Sequence, residues 1–174
     1  GVVAKVVGIS VTDGTDPDTL FIKYEKSGTN NTNLVFTAGE TVTSNATGSP
    51  TIVVATTHTG SAAAIEAGVY YINGFHVNVD SSTLVLDKYT NSPSYRIGLS
   101  VTESFVTPND DTTLNDNAQG TSNVNAPGAH RFKITLTLAK KTLAAVDDNN
   151  FYEIARVDTG NIKSMVRTTE YAVL

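Results

Sequence analysis

Gly68-Val-Tyr-Tyr-Ile-Asn-Gly-Phe-His-Val77 is the stretch on which the reading of this chain turns. Asn73-Gly74 supplies two successive residues that tolerate positive φ, which a type I′ turn demands and most residues resist. After the turn the apolar residues alternate with polar ones, and Phe75, Val77 and Val79 share one face. Tyr70–Ile72 and Phe75–Val77 therefore read as the two arms of an antiparallel hairpin.

The same period of two recurs outward from this hairpin. Ser81-Ser82 turns the chain into a strand over Thr83–Leu86. Tyr95–Thr102 places Ile97, Leu99 and Val101 inward, with Arg96, Ser100 and Thr102 outward. Phe132, Ile134, Leu136 and Leu138 alternate with Arg131, Lys133, Thr135 and Thr137. Phe151–Val157 and Asn161–Val166 read as a last hairpin across Asp158-Thr159-Gly160. Upstream, Val2–Val11 and Leu20–Glu25 alternate, and Leu34–Phe36, Glu40–Thr43 and Thr51–Thr57 read as short strands between Gly and Asn turns. Ser61 stands where a helix cap would, before Ala62-Ala63-Ala64-Ile65-Glu66-Ala67 and a terminating Gly68, so a short helical turn is predicted there. The expected fold is all-β, an antiparallel sandwich or barrel-like arrangement. Residues 1–59 form an N-terminal β subdomain, and residues 60–174 form a sandwich-like one, joined by the helical turn. The second carries a loop of 23 residues, 107–129, with five Asn and three Asp. A loop so long calls for a purpose, and its composition suits an ordered fold on side-chain-to-backbone hydrogen bonds.

Bulk composition narrows the partners. The 174 residues carry a net charge of −5, and Lys140-Lys141 is the nearest thing to a basic cluster. Nucleic-acid backbones are bound by clustered Lys and Arg that displace counterions, so no nucleic-acid partner is expected. No run reaches the roughly 18 apolar residues of a membrane span. There is no Cys, which removes disulfides and thiolate metal sites. Gly1 opens directly on strand-like text and Tyr171–Leu174 ends on it, so the chain reads as a piece of a longer protein.

Candidate chemistry is thin. His58, His76 and His130 stand apart in the chain and no Gly-x-Ser-x-Gly elbow occurs, so no catalytic residue is assigned and the chain reads as a non-enzyme. Asp13, Asp16 and Asp18 cluster as a calcium loop might require, but without the spacing of an EF-hand they read as a solvated turn. Asp110-Asp111 and Asp147-Asp148 read the same way, and neither metal nor cofactor is assigned. Glu103 continues the inward parity of Ile97, Leu99 and Val101, and is expected to pair with Arg96 or Arg131. Tyr70-Tyr71, Tyr89 and Tyr95 are the aromatics best placed to stack on a sugar, though strand tyrosines more often straddle the edge of a core.

Gly60-Ser-Ala-Ala, Glu66-Ala-Gly-Val-Tyr-Tyr-Ile-Asn-Gly-Phe, Leu86-Asp-Lys-Tyr and Pro93-Ser-Tyr-Arg-Ile-Gly-Leu are followed by Asp111-x-x-Leu-x-Asp-x-Ala-x-Gly-x-x-Asn-x-x-Ala-Pro-Gly-Ala-x-Arg131. Over roughly residues 60–141 this series resembles a domain family of large tail, baseplate or fibre-attachment proteins of tailed phages and prophages, many described in T4-like phages of cyanobacteria. The resemblance implies a virion structural protein. Its partners would be other copies of itself, in a trimer or around a sixfold tail, and neighbouring tail proteins. A glycan- or host-surface-binding module of a fibre, or a bacterial cell-surface β-domain, is the alternative. Within the signature, Asp111, Leu114, Asp116, Asn123, Pro127, Gly128 and Arg131 are the expected interface residues.

Overall fold

The structure is a computed structural model that describes residues 1–12, 14, 17–29, 31–116, 128–145 and 148–166. Twelve strands follow in order: β1 Val3–Ser10, β2 Thr19–Lys26, β3 Thr41–Thr43, β4 Thr51–Val53, β5 Ser61–Ile65, β6 Gly68–Ile72, β7 Phe75–Val79, β8 Ser82–Asp87, β9 Tyr95–Val106, β10 Arg131–Thr142, β11 Phe151–Asp158 and β12 Asn161–Met165. The only helical element among the described residues is a 3₁₀ turn, Thr112–Leu114. The fold is all-β, as its alternating strands require, and none of the described sheets closes into a barrel. The residues gather into two compact units. The first comprises Gly1–Ala64, Thr83–Ser94 and Asp158–Asn161, and the second Ile65–Ser82, Tyr95–Val157 and Ile162–Leu174.

The first unit is built from two-stranded pairs, β1–β2, β3–β4 and β5–β8. In β1–β2, Ile9 faces Leu20 and Val6 faces Ile22. A bulge between Val6 and Gly8 absorbs the odd spacing and keeps both pairs on one face. Phe36 and Leu86 are its only buried hydrophobics among the described residues. Phe36 meets Tyr24 edge-on at 5.5 Å, and its backbone N–H donates to the Tyr24 hydroxyl at 3.1 Å. Leu34–Phe36, expected as a strand, is irregular: Phe36 turns inward and leaves Leu34 and Val35 exposed. The helical turn expected after Ser61 is instead β5. Its burial alternates, and pairing with β8 supplies the backbone partners that an isolated Ala-rich turn would lack.

The second unit joins the hairpin β6–β7 and a four-stranded sheet in the order β10-β9-β11-β12. Asn73 (φ 51°) and Gly74 (φ 88°) close the hairpin, with Ile72 opposite Phe75. Strands β9 and β10 pair without interruption over twelve residues, from Arg131 opposite Val106 to Thr142 opposite Tyr95. Strand β11 pairs only with the first half of β9, Tyr95 to Ser100. Residues 101–106 and 131–136 thus continue as a two-stranded ribbon. Ile72, Val79, Leu99 and Val101 form the core cluster, flanked by Ile65, Tyr70, Ile134, Leu136 and Ile154. Gly98 permits a bulge in β11, where Ile154 is the extra residue: a Cβ at Gly98 would lie 2.1 Å from the Tyr152 carbonyl oxygen. The bulge lets Ile154 reach the core while Glu153 turns to the opposite face.

A candidate interaction surface on the second unit

The long loop leaves β9 through a base built from its own polar side chains. The Asp110 carboxylate accepts from the Thr107 backbone N–H at 2.9 Å and from its hydroxyl at 2.7 Å. Those bonds, the backbone one foremost, hold its pKa below the usual carboxylate range. Asp111 caps the 3₁₀ turn, accepting from the Thr113 hydroxyl at 2.7 Å and N–H at 3.0 Å, and its pKa is lowered chiefly by the hydroxyl. Leu114 is buried, and its carbonyl accepts from the Ala129 N–H at 2.9 Å. Gly128 returns so close that a Cβ would stand 2.4 Å from Pro108 and 2.6 Å from the Leu114 oxygen. Asp111, Leu114 and Gly128 are therefore brought together to pin the loop's two ends. Asp116 is half-buried and Arg131 is exposed at the start of β10. Asn123 and Pro127 lie outside the described residues.

Beside this base, three phenylalanines form an exposed cluster. Phe132 lies opposite Phe105 across the ribbon, with ring centroids 5.7 Å apart, and Phe75 stands 5.3 Å from Phe132. All three keep the inward parity of their strands, yet Phe105 is 68% exposed and Phe75 48%. They lie where the core face runs on into the ribbon. No single strand announces this cluster, because Phe105 and Phe132 meet only through a register set across the long loop.

The hairpin is fastened over the sheet by one side chain. Asn73 Nδ2 donates to Glu103 at 2.8 Å, and Asn73 Oδ1 accepts from the Tyr152 hydroxyl at 2.5 Å. Glu103 is exposed and takes Asn73 as its partner, which corrects the expectation of a pair with Arg96 or Arg131. Arg96 instead reaches Glu153 and the Ala145 carbonyl, on the face opposite the core. Glu153 also bonds Arg156 at 2.9 Å, and the two guanidiniums, Arg156 foremost, hold its carboxyl at about 2. Lys141 pairs with Asp148, and both Arg96 and Lys141 stand over the Phe151 ring. Register places Lys141, Arg96 and Arg156 side by side across three strands, so Glu153 and Asp148 offset a row of like charge. These ions are spent on the fold's own balance.

The other sequence candidates lie scattered. His76 tilts against exposed Tyr71 at 5.0 Å, while Tyr70 packs against the core. His130 is exposed. In the first unit His58 meets Tyr89 edge-on at 5.2 Å, and Asp18 accepts from the Thr12 N–H at 2.7 Å. Asp13, Asp16 and Asp147 lie outside the described residues. Tyr95 lies under the Lys140 ammonium at 4.7 Å. Among the described residues no three His, Asp or Glu side chains gather as metal ligands would.

Fold and surface define an all-β module with an open aromatic cluster. The chain belongs to the family described as a domain of unknown function (DUF4815), matched over residues 15–174. No curated protein and no solved structure matches it.

Proposed function

We propose that the chain is a non-enzymatic building block of a virion, part of a phage tail, baseplate or fibre-attachment complex, that associates with copies of itself and with neighbouring tail proteins. The observation that carries the assembly role is the apolar face of β1–β2. Val6, Ile9 and Leu20 share that face and are 48%, 68% and 40% exposed, and Val11 continues it. Contiguous apolar strand surface of this kind is what subunit contacts cover. The motif words of residues 60–141 support the tail setting.

Light scattering on the chain, with and without a chelator, tests the reading. A trimer or sixfold assembly indifferent to the chelator is expected, and Ile9→Asp should lower its mass. A monomer at all concentrations would remove self-association. Exposed Tyr71 beside His76 favours a second reading, stacking on a host-surface glycan, which a glycan array with Tyr71→Ala would separate from assembly.

A further inference from the structure

Strands β7 and β10 run beside one another without pairing. Among the described residues β7 bonds only β6 and β10 bonds only β9, so each presents an edge that none of them pairs. A shallow groove separates them, walled by residues 76–82 on one side and 131–138 on the other. Its floor is apolar, with Val77, Phe132, Ile134 and Leu136. Its rim near the loop base is cationic, with Arg131 and Lys133 facing His76. Along the groove β10 carries Arg131 and Lys133 and no acidic residue, in a chain whose net charge is −5. Of the nearby carboxylates, Asp111 bonds Thr113 and feels the charge of Arg131, and Glu103 bonds Asn73. Asp80 stands at the far end of the groove.

We infer that this groove receives an extended acidic segment of a neighbouring subunit, added as a strand on that edge of β10. Edge amides and carbonyls supply backbone hydrogen bonds, and alternate side chains of the guest meet the apolar floor and the cationic rim. Lys and Arg along an edge repel an identical edge, so the charges that discourage a second β10 favour an acidic guest. Exposed Phe75 and Phe105 give the guest an aromatic anchor at the loop end. The inference deepens the assembly reading and rests on it only in taking the guest from a neighbouring subunit.

The test uses the full chain and a fluorescein-labelled peptide of alternating Val and Glu, long enough to form a single strand. Fluorescence anisotropy should show saturable binding that weakens with salt, and the same peptide with Lys for Glu should not bind. Arg131→Glu with Lys133→Glu should weaken the acidic peptide at least about tenfold and admit the Lys peptide. Hydrogen exchange should show new protection at residues 131–138. No binding, equal binding of both peptides, or protection elsewhere overturns the inference. A monomer that still binds the acidic peptide keeps the groove and sinks self-association, and an assembly that ignores the peptide does the reverse.

Discussion

The two units are written in the same alphabet of alternating strands, yet they use it differently. The second stacks a hairpin over one face of its sheet and buries Ile72, Val79, Leu99 and Val101 between them. The first is made of two-stranded pairs, and Ile9, Val11, Ile52 and Val53 remain exposed. A two-stranded ribbon has no second layer of its own, so alternation alone does not create a core. Apolar alternation marks a face that asks to be covered, and the second unit covers most of its own.

The sharpest way to break this contrast is to cut the same chemistry from each unit. Leu99 is 1% exposed, so Leu99→Ala should cost about 2–5 kcal/mol in denaturant unfolding. Ile9→Ala, at a site exposed in the single chain, should cost within about 0.5 kcal/mol in the same assay run dilute enough to keep the chain monomeric. Equal losses would mean that the first unit's face is packed in solution and the contrast is false. Gly98→Ala comes next. Its Cβ meets backbone that cannot swing aside, and a loss above about 1 kcal/mol is expected.

The ion cluster sharpens the comparison through pH. Glu153 is held at about 2, below its ordinary 4.5, because Arg156 and Arg96 bond its charged form. Its contribution is therefore fully present above pH 4.5 and is lost as pH falls toward 2. Thermal melts from pH 6 downward should show this decline, and Glu153→Gln should flatten it while costing about 1–2 kcal/mol at neutral pH. Asn73→Ala removes both the clamp and a residue suited to positive φ, and about 1 kcal/mol is expected. The smallest effect belongs to Asp111→Ala. Global melting should barely move, but the Thr113 amide, which donates to the Asp111 carboxylate, should exchange faster.

Much of the second unit was legible because its signals are local. Asn73-Gly74 names its own turn, and Ile97, Leu99 and Val101 carry their own parity. The misreadings arose where a distant partner decided. Ala62-Ala63-Ala64 has helical propensity, but β8 gives its backbone a ladder, and tertiary pairing outweighs a few tenths of a kcal/mol per residue. Glu103 has inward parity, but Asn73 reaches it beyond the covered part of the sheet. In the loop signature, Asp111, Leu114 and Gly128 belong together for a local reason that spacing alone did not reveal: they close the loop on itself.

The sequence by itself determined that the chain is all-β, where most strands run, and which faces are apolar, because φ preferences and a period of two reside in neighbouring residues. The tertiary structure decided which apolar faces become core and which stay open, how Phe75, Phe105 and Phe132 meet, and which carboxylate each arginine takes. Those outcomes depend on register and layering between strands far apart in the chain, and no local preference encodes them.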